Sequence, residues 1–231
     1  MCGRFAFTGW DEALIEAYDI EQSKMRPRYN IAPTQTASVI LHDPDQQKAM
    51  VQDAYWGLIP SWAKDKSFDA RMINARSETA GDKASFKAAL RYRRCLVPAT
   101  GFYEWRREGK AKVPFYFSPA KSQPLVFAGL WEDWGNGTEQ IRSFTILTTA
   151  ANETMSTIHD RMPVILQPKD WSRWLDPKIN DITALMDLLQ PCESHFLQKW
   201  QVRPYVNKTG NEGIDCIEKV ENKLYFCFDG Y

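Results

Sequence analysis

Apolar residues in this chain fall in short runs closed by Gly, Pro, Asn or Asp, and this punctuation restricts the fold more than any other feature. Ser38 to Leu41 and Ala49 to Trp56 flank an Asp43-Pro44-Asp45 turn and read as a β-hairpin. Cys95 to Trp105 reads as one strand leading to a Glu108-Gly109 turn, from which Val113 to Phe117 returns. Leu125 to Leu130 and Ser143 to Thr149 are strands around a Gly135-Asn136-Gly137 loop, Met1 to Phe7 and Val164 to Leu166 are short strands, and Met72 to Glu78 is extended. Helical spacing is confined to brief stretches. Asp11 to Tyr18 aligns Leu14, Ile15 and Tyr18, and Asp82 to Arg91 aligns Phe86, Ala89 and Leu90. Asn152 to Ile158 is a third helix. Pro168 to Leu175 opens on proline and buries Trp171 and Trp174, and Ile182 to Leu189 is capped by Asp181 and stopped by Pro191. Arg26 to Thr34 and Trp56 to Ala63 hold too much Pro or Gly for regular structure and read as shaped loops, while Gln201 to Phe228 mixes short strands and loops. No repeat or linker divides the 231 residues. The expectation is one α+β domain over residues 1–231, with curved antiparallel sheets forming an open barrel-like core and helices at its periphery.

Composition matters for what it excludes. Lys and Arg together number 29, as do Asp and Glu, so the zero net charge gives no global attraction to nucleic acid, and any phosphate must be held by local arginines. The five cysteines, Cys2, Cys95, Cys192, Cys216 and Cys227, are odd in number, irregularly spaced and without a C-x-x-C, which argues against a disulfide framework and a zinc site. Neither a signal peptide nor a membrane span is expected, which places the chain in the cytoplasm with no membrane partner.

Five stretches carry residues suited to chemistry. The chain begins Met1-Cys2-Gly3-Arg4, and a side chain as small as that of Cys2 normally lets the initiator methionine be trimmed. An exposed amino-terminal cysteine offers an amine, with a reference pKa of about 8, and a thiol to one aldehyde carbon, which closes a thiazolidine. The ordinary reading of a cysteine at position 2 is a frayed end. In Ile73-Asn74-Ala75-Arg76-Ser77-Glu78 an extended backbone puts Asn74, Arg76 and Glu78 on one face, a phosphate and sugar reader or simply a solvated strand face. Glu104 lies among Phe102, Tyr103 and Trp105, where desolvation suits a carboxyl to acid–base work, unless it is an edge residue paired with an arginine. His159, one of three histidines, follows a helix beside Asp160 and Arg161, and is a proton carrier or an incidental loop residue. Nothing at metal-ligand spacing accompanies it, and no metal or cofactor is called for. Trp62 and Pro33 offer flat apolar faces to unstacked bases or belong to the core, as Trp56 does.

Six blocks occur in order: Met-Cys-Gly-Arg, Asn30-Ile31-Ala32-Pro33-Thr34, Trp56 to Trp62, Ile73 to Thr79, Arg94 to Trp105, and Ile158 to Pro163. Together they strongly resemble the SRAP family, the SOS-response-associated peptidases, also called abasic-site processing proteins. Val206-Asn207 resembles a later motif more weakly. The resemblance implies a SRAP domain that traps abasic sites in single-stranded DNA as a stable covalent crosslink. It carries the family's cysteine to Cys2, its asparagine to Asn74, its phosphate-contacting arginine to Arg76, its glutamate to Glu104 and its histidine to His159, with Arg4 and Arg161 as further basic positions. Some members carry another arginine where this chain reads Asp82-Lys83-Ala84-Ser85-Phe86, which leaves preference for flanking DNA open.

The expected mechanism opens the sugar with help from His159, attacks its aldehyde with the Cys2 amine, moves protons through Glu104, keeps the terminus in register with Asn74, and closes the ring with the thiol. A competing expectation is proteolysis with Cys2 as an amino-terminal nucleophile, and a third is a non-enzymatic single-strand-binding module. A monomer is expected.

Overall fold

The computed structural model describes residues 2–20, 27–43, 48–66, 71–135 and 139–220. Met1, the tip of the Asp43-Pro44-Asp45 turn, Asn136 and Gly137, and Cys227 lie outside the described residues.

The chain opens with β1 (Phe5–Phe7), then α1 (Glu12–Tyr18), whose first turn is capped by the Asp11 side chain accepting from Ala13 N–H at 2.9 Å. β2 (Arg28–Ile31) follows, then the hairpin β3 (Thr36–Asp43) and β4 (Lys48–Trp56). β5 (Asn74–Arg76) gives way at once to α2 (Ser77–Ala80), and α3 (Ala84–Tyr92) buries Phe86, Ala89 and Leu90 as its spacing demands. β6 (Arg94–Ala99), β7 (Gly101–Glu108), β8 (Ala111–Pro119), β9 (Leu125–Trp134) and β10 (Ile141–Ala150) supply most of the sheets. Then come α4 (Glu153–Ser156), β11 (Arg161–Pro163), α5 (Trp171–Leu175), a 3-10 helix at Ile182–Leu189 and β12 (Leu197–Gln201).

β10 pairs with β4, β4 with β3, β3 with β6, β6 with β9, and β9 with β10 again. The expected barrel-like core is there, and this ring closes it. β5 and β11 both attach to β10 outside the ring. A second sheet in the order β12-β8-β7-β1-β2 remains open.

The core between the sheets is aromatic. Phe5 meets the Trp56 ring edge-on at 5.1 Å, and Phe102 stacks on Phe117 at 5.0 Å and meets Phe127 at 5.8 Å. A second cluster packs α1, α3 and α5 against the barrel through Leu14, Phe86, Leu90, Trp171 and Trp174. The buried Arg94 guanidinium donates to the carbonyls of Leu90, Arg91, Trp174 and Asp176, so one cation serves the C-terminal ends of two helices.

Four expectations need correction. Cys95 to Trp105 is not one strand: the chain leaves the barrel at Ala99 and enters the open sheet at Gly101. Part of the Arg26 to Thr34 stretch is β2, because Arg28 to Ile31 finds a partner in β1 that local composition does not reveal. The strand placed at Val164 to Leu166 lies earlier, at Arg161–Pro163, with Ile165 forming an isolated bridge to Phe127. Glu78 does not share an extended face with Asn74 and Arg76, since α2 begins at Ser77. Among the described residues, no helix is long and apolar enough to cross a membrane.

The step between sheets depends on Gly101. A Cβ there would lie 2.1 Å from the Tyr116 ring and 2.6 Å from the Phe117 carbonyl oxygen, and backbone cannot move aside cheaply. Gly101→Ala is expected to cost about 1–3 kcal/mol, lowering Tm by roughly 2–4 °C per kcal/mol. An unchanged melting curve would show that the crossing tolerates a side chain.

Candidate active site

The second residue of the chain is fully buried. Its carbonyl accepts a hydrogen bond from Asn74 Nδ2 at 2.7 Å. Asn74 is held by the parallel pairing of β5 with β10, where it stands opposite Ile146, so its amide spans from the barrel to the start of the open sheet. Two residues on, the Arg4 carbonyl accepts from Tyr103 N–H at 2.9 Å. The Arg4 side chain turns inward, and Nη1 donates to Asn30 Oδ1 at 2.6 Å and to the Val206 carbonyl at 2.8 Å. Asn30 Nδ2 in turn lies 3.0 Å from the Lys208 carbonyl and 2.8 Å from that of Asn211. The chain's beginning is thereby fastened to residues near its other end.

Glu104, on β7, is only 5% exposed, and burial raises its carboxyl above the usual range, opposed in part by nearby His159. The Cys2 thiol is pushed up to about 12, first by burial and then by the negative charge of Glu104. These cross-influences place Glu104 within electrostatic reach of both Cys2 and His159. His159 follows α4 and donates its backbone N–H to the Met155 carbonyl. Its Nδ1 lies 3.0 Å from Arg161 N–H, which makes it an acceptor, and 2.9 Å from Asp160 Oδ1, which would make it a donor. The two are exclusive. Asp160 is 84% exposed, so water screens its pairing with the ring.

A groove of about 520 Å³ opens beside this cluster, lined in part by Arg4, Glu104, Trp105, His159 and Asn207. Trp105 Nε1 donates to Asn207 Oδ1 at 2.7 Å, and the Arg4 guanidinium sits 5.7 Å from the Trp105 ring centroid.

The structure thus brings Cys2, Asn74, Glu104 and His159 together. Arg76 is exposed at the end of β5. Arg161 arrives already engaged, gripping both oxygens of Glu78 at 2.7 and 2.8 Å and the Thr148 carbonyl at 2.6 Å. Trp62 is 57% exposed on the loop after β4. Pro33 is half-buried in the Ala32 to Gln35 turn, where Thr34 takes φ 67°, a left-handed conformation costly for a β-branched residue. Sequence reasoning missed the structural part played by Asn30. A carboxamide among the apolar residues of its block was the available signal.

The sequence matches the family described as SOS response associated peptidase (SRAP) over residues 1–209. It is 40% identical to the abasic site processing protein YoqW of Bacillus subtilis, covering 94% of this chain and 99% of that one. It is 32% identical to the abasic site processing protein YedK of Escherichia coli, covering 95% and 100%. Among solved structures, a Bacteroides thetaiotaomicron protein superposes with a TM-score of 0.82 over 95% of this chain and all of its own at 24% identity, which speaks to fold alone. A phage-related protein from Bordetella bronchiseptica gives 0.71 at 31% identity, over 87% and 94%.

The raised Glu104 carboxyl has a stability consequence. Between the unfolded and folded pKa values the folded chain binds more protons, so this residue's contribution is complete below about pH 4 and is lost as pH rises through the folded pKa. Glu104→Gln removes that loss. Its Tm is expected to approach the parent's at about pH 4 and to exceed it at pH 8, by about 2–4 °C for each kcal/mol recovered. Thermal melts giving a pH-independent difference would show that Glu104 is not desolvated.

Proposed function

The chain belongs to the SOS response associated peptidase (SRAP) family, and we propose that it captures abasic sites in single-stranded DNA through Cys2 once Met1 has been removed. The observation that carries this reading is the placement of Cys2: buried, fastened by Asn74 at its carbonyl, and electrically coupled to Glu104. The reading treats residues 1–231 as one domain in a reducing cytoplasm, where the thiol at position 2 stays free.

Removing Met1 turns the Cys2 nitrogen into a primary amine. Asn74 Oδ1 is buried without a hydrogen-bond partner, and it is the acceptor that this new amine would find. The abasic sugar is mostly a closed hemiacetal. His159 assists opening by taking the proton of the C1′ hydroxyl and returning it to the ring oxygen as the bond between C1′ and that oxygen breaks. The amine then bonds to C1′, Glu104 takes a proton from nitrogen, and the same carboxyl returns one to the departing hydroxyl, which leaves as water. The thiol arrives protonated, as its raised pKa requires, so sulfur acts second. It adds across the imine, its proton passes by way of Glu104 to the nitrogen, and the ring closes. One aldehyde and one aminothiol thus give a thiazolidine and one water, and the imine that would permit strand elimination is consumed.

Arg76 at the end of β5 would meet a flanking phosphate, with Arg4 and Arg161 reinforcing the field of the site, and Trp62 and Pro33 would support splayed bases. The peptidase reading gains no support from the geometry. A nucleophilic thiolate needs a lowered pKa, and both leading influences on Cys2 raise it.

Incubation with a single-stranded oligonucleotide holding one abasic site is expected to give a heat-stable shifted band on a denaturing gel, absent in Cys2→Ala. A band of equal strength in that variant would sink the proposal. Glu104→Gln is expected to slow band formation by about 10²-fold or more. In the parent the rate should rise toward about pH 8 as the amine loses its proton.

A further inference from the structure

β1 covers only the beginning of β7, at Phe102 and Gly101, and the last backbone bond between them runs from Tyr103 to Arg4. From Glu104 to Glu108 the strand has β8 as its one partner among the described residues. On this overhang Arg107 stands directly opposite Lys112, and both side chains line the groove that holds Glu104 and His159. Like charges at opposed positions of an antiparallel pair repel one another. Both residues are exposed, and neither has a hydrogen-bond or ion-pair partner among the described residues.

The neighbouring arginine is treated differently. Alternation along β7 puts Arg106 on the other face, where it bonds to Glu108 and lies 4.8 Å from the Phe115 ring centroid. The fold therefore neutralises Arg106 and leaves Arg107, Lys110 and Lys112 of this hairpin without a counter-charge among the described residues, and of these Arg107 and Lys112 line the groove. They share a face with Trp105, which Asn207 fixes in place, so the wall beneath them is rigid.

We propose that Arg107 and Lys112 form a phosphate clamp that holds one flank of the lesion-bearing strand, an inference that rests on the abasic-site reading above. Opposed positions on antiparallel strands keep their Cβ atoms about 5 Å apart, close enough for two long cationic side chains to converge on one phosphate or to follow two in succession. An oxyanion between them turns mutual repulsion into attraction. The contact reads backbone and no base, so it adds affinity without sequence preference. Arg76 comes from β5, beside the barrel, and the hairpin from the open sheet, so the strand would be gripped from two separate elements with Cys2 joined to both.

The test compares Arg107→Glu/Lys112→Glu with Lys169→Glu/Lys178→Glu, an equal charge change at exposed positions outside the groove. Two single-stranded probes are used. One has a natural abasic site and reports covalent capture. The other has a tetrahydrofuran residue, which carries no aldehyde, and reports binding by fluorescence anisotropy. Reversal at the hairpin is expected to lower both the sub-saturating capture rate and the affinity by about tenfold or more, and to flatten the slope of log affinity against log salt by about 1.4, two phosphates at about 0.7 each. Arg107→Gln/Lys112→Gln should show a smaller loss in the same direction, and the control pair should stay within about threefold of the parent. Equal losses in hairpin and control variants, unchanged salt slopes, or a parent that binds neither probe would overturn the clamp. A parent that binds the tetrahydrofuran probe through the hairpin, yet forms no covalent band with the abasic one, would retain the clamp and reject capture by Cys2.

Discussion

Everything at the site depends on keeping the second residue of a chain buried and still. Terminal residues fray unless something fastens them. Here the fastenings come from distant parts of the sequence: Asn74 at the Cys2 carbonyl, Tyr103 at the Arg4 carbonyl, and Asn30 and Val206 at the Arg4 guanidinium. The three side-chain fastenings join residues 26, 72 and 202 positions apart, so no local segment can assemble the arrangement alone. β5, attached to β10 beside the barrel, and β7 of the open sheet both reach the terminus, which is wedged between them.

The burial that immobilises Cys2 also sets the protonation states around it. Water is kept from the Glu104 carboxyl and from the thiol, and both are driven toward their neutral forms. A carboxyl with a raised pKa can take a proton and then return it, which a freely solvated glutamate does poorly near neutral pH. In the proposed mechanism a thiol held as S–H does not compete with the amine for the aldehyde, so nitrogen acts first. One physical cause, desolvation, thus fits both groups to a sequence of steps.

The elements that were legible in the sequence are those whose signal is local. Leu14, Ile15 and Tyr18 marked α1, Phe86, Ala89 and Leu90 marked α3, and two apolar runs around the Asp43-Pro44-Asp45 turn marked the β3–β4 hairpin. Asn74, Glu104 and His159 were legible as candidates too, because they stand out as polar groups where packing alone gives no reason for them. What stayed hidden was pairing. Nothing in Cys95 to Trp105 announces that the chain changes sheets at Gly101, since both halves are apolar and the reason lies in the approach of Tyr116 and Phe117 from another strand. β2 was hidden by its own proline-rich surroundings, and the left-handed Thr34 is visible only in three dimensions. The inward turn of Arg4 was likewise unreadable, because its partners lie at Asn30 and Val206.

Under the proposed function the groove admits the phosphates of DNA, and a carboxylate beside it presents an electrostatic problem, since its charge repels them. Desolvation eases it. A carboxyl whose pKa is raised spends more time uncharged, and each phosphate that approaches raises it further by the same Coulombic rule. Cations then help most when they stand far enough away to attract phosphate without restoring the charge on Glu104. Arg107 and Lys112 on the hairpin overhang meet that condition, and neither appears among the influences that shift the Glu104 carboxyl. Arg161, which is closer in sequence to His159, is instead held in an ion pair with Glu78. The net charge of the chain is zero, yet its arrangement leaves positive charge at the rim of the groove and a carboxyl biased toward neutrality within it.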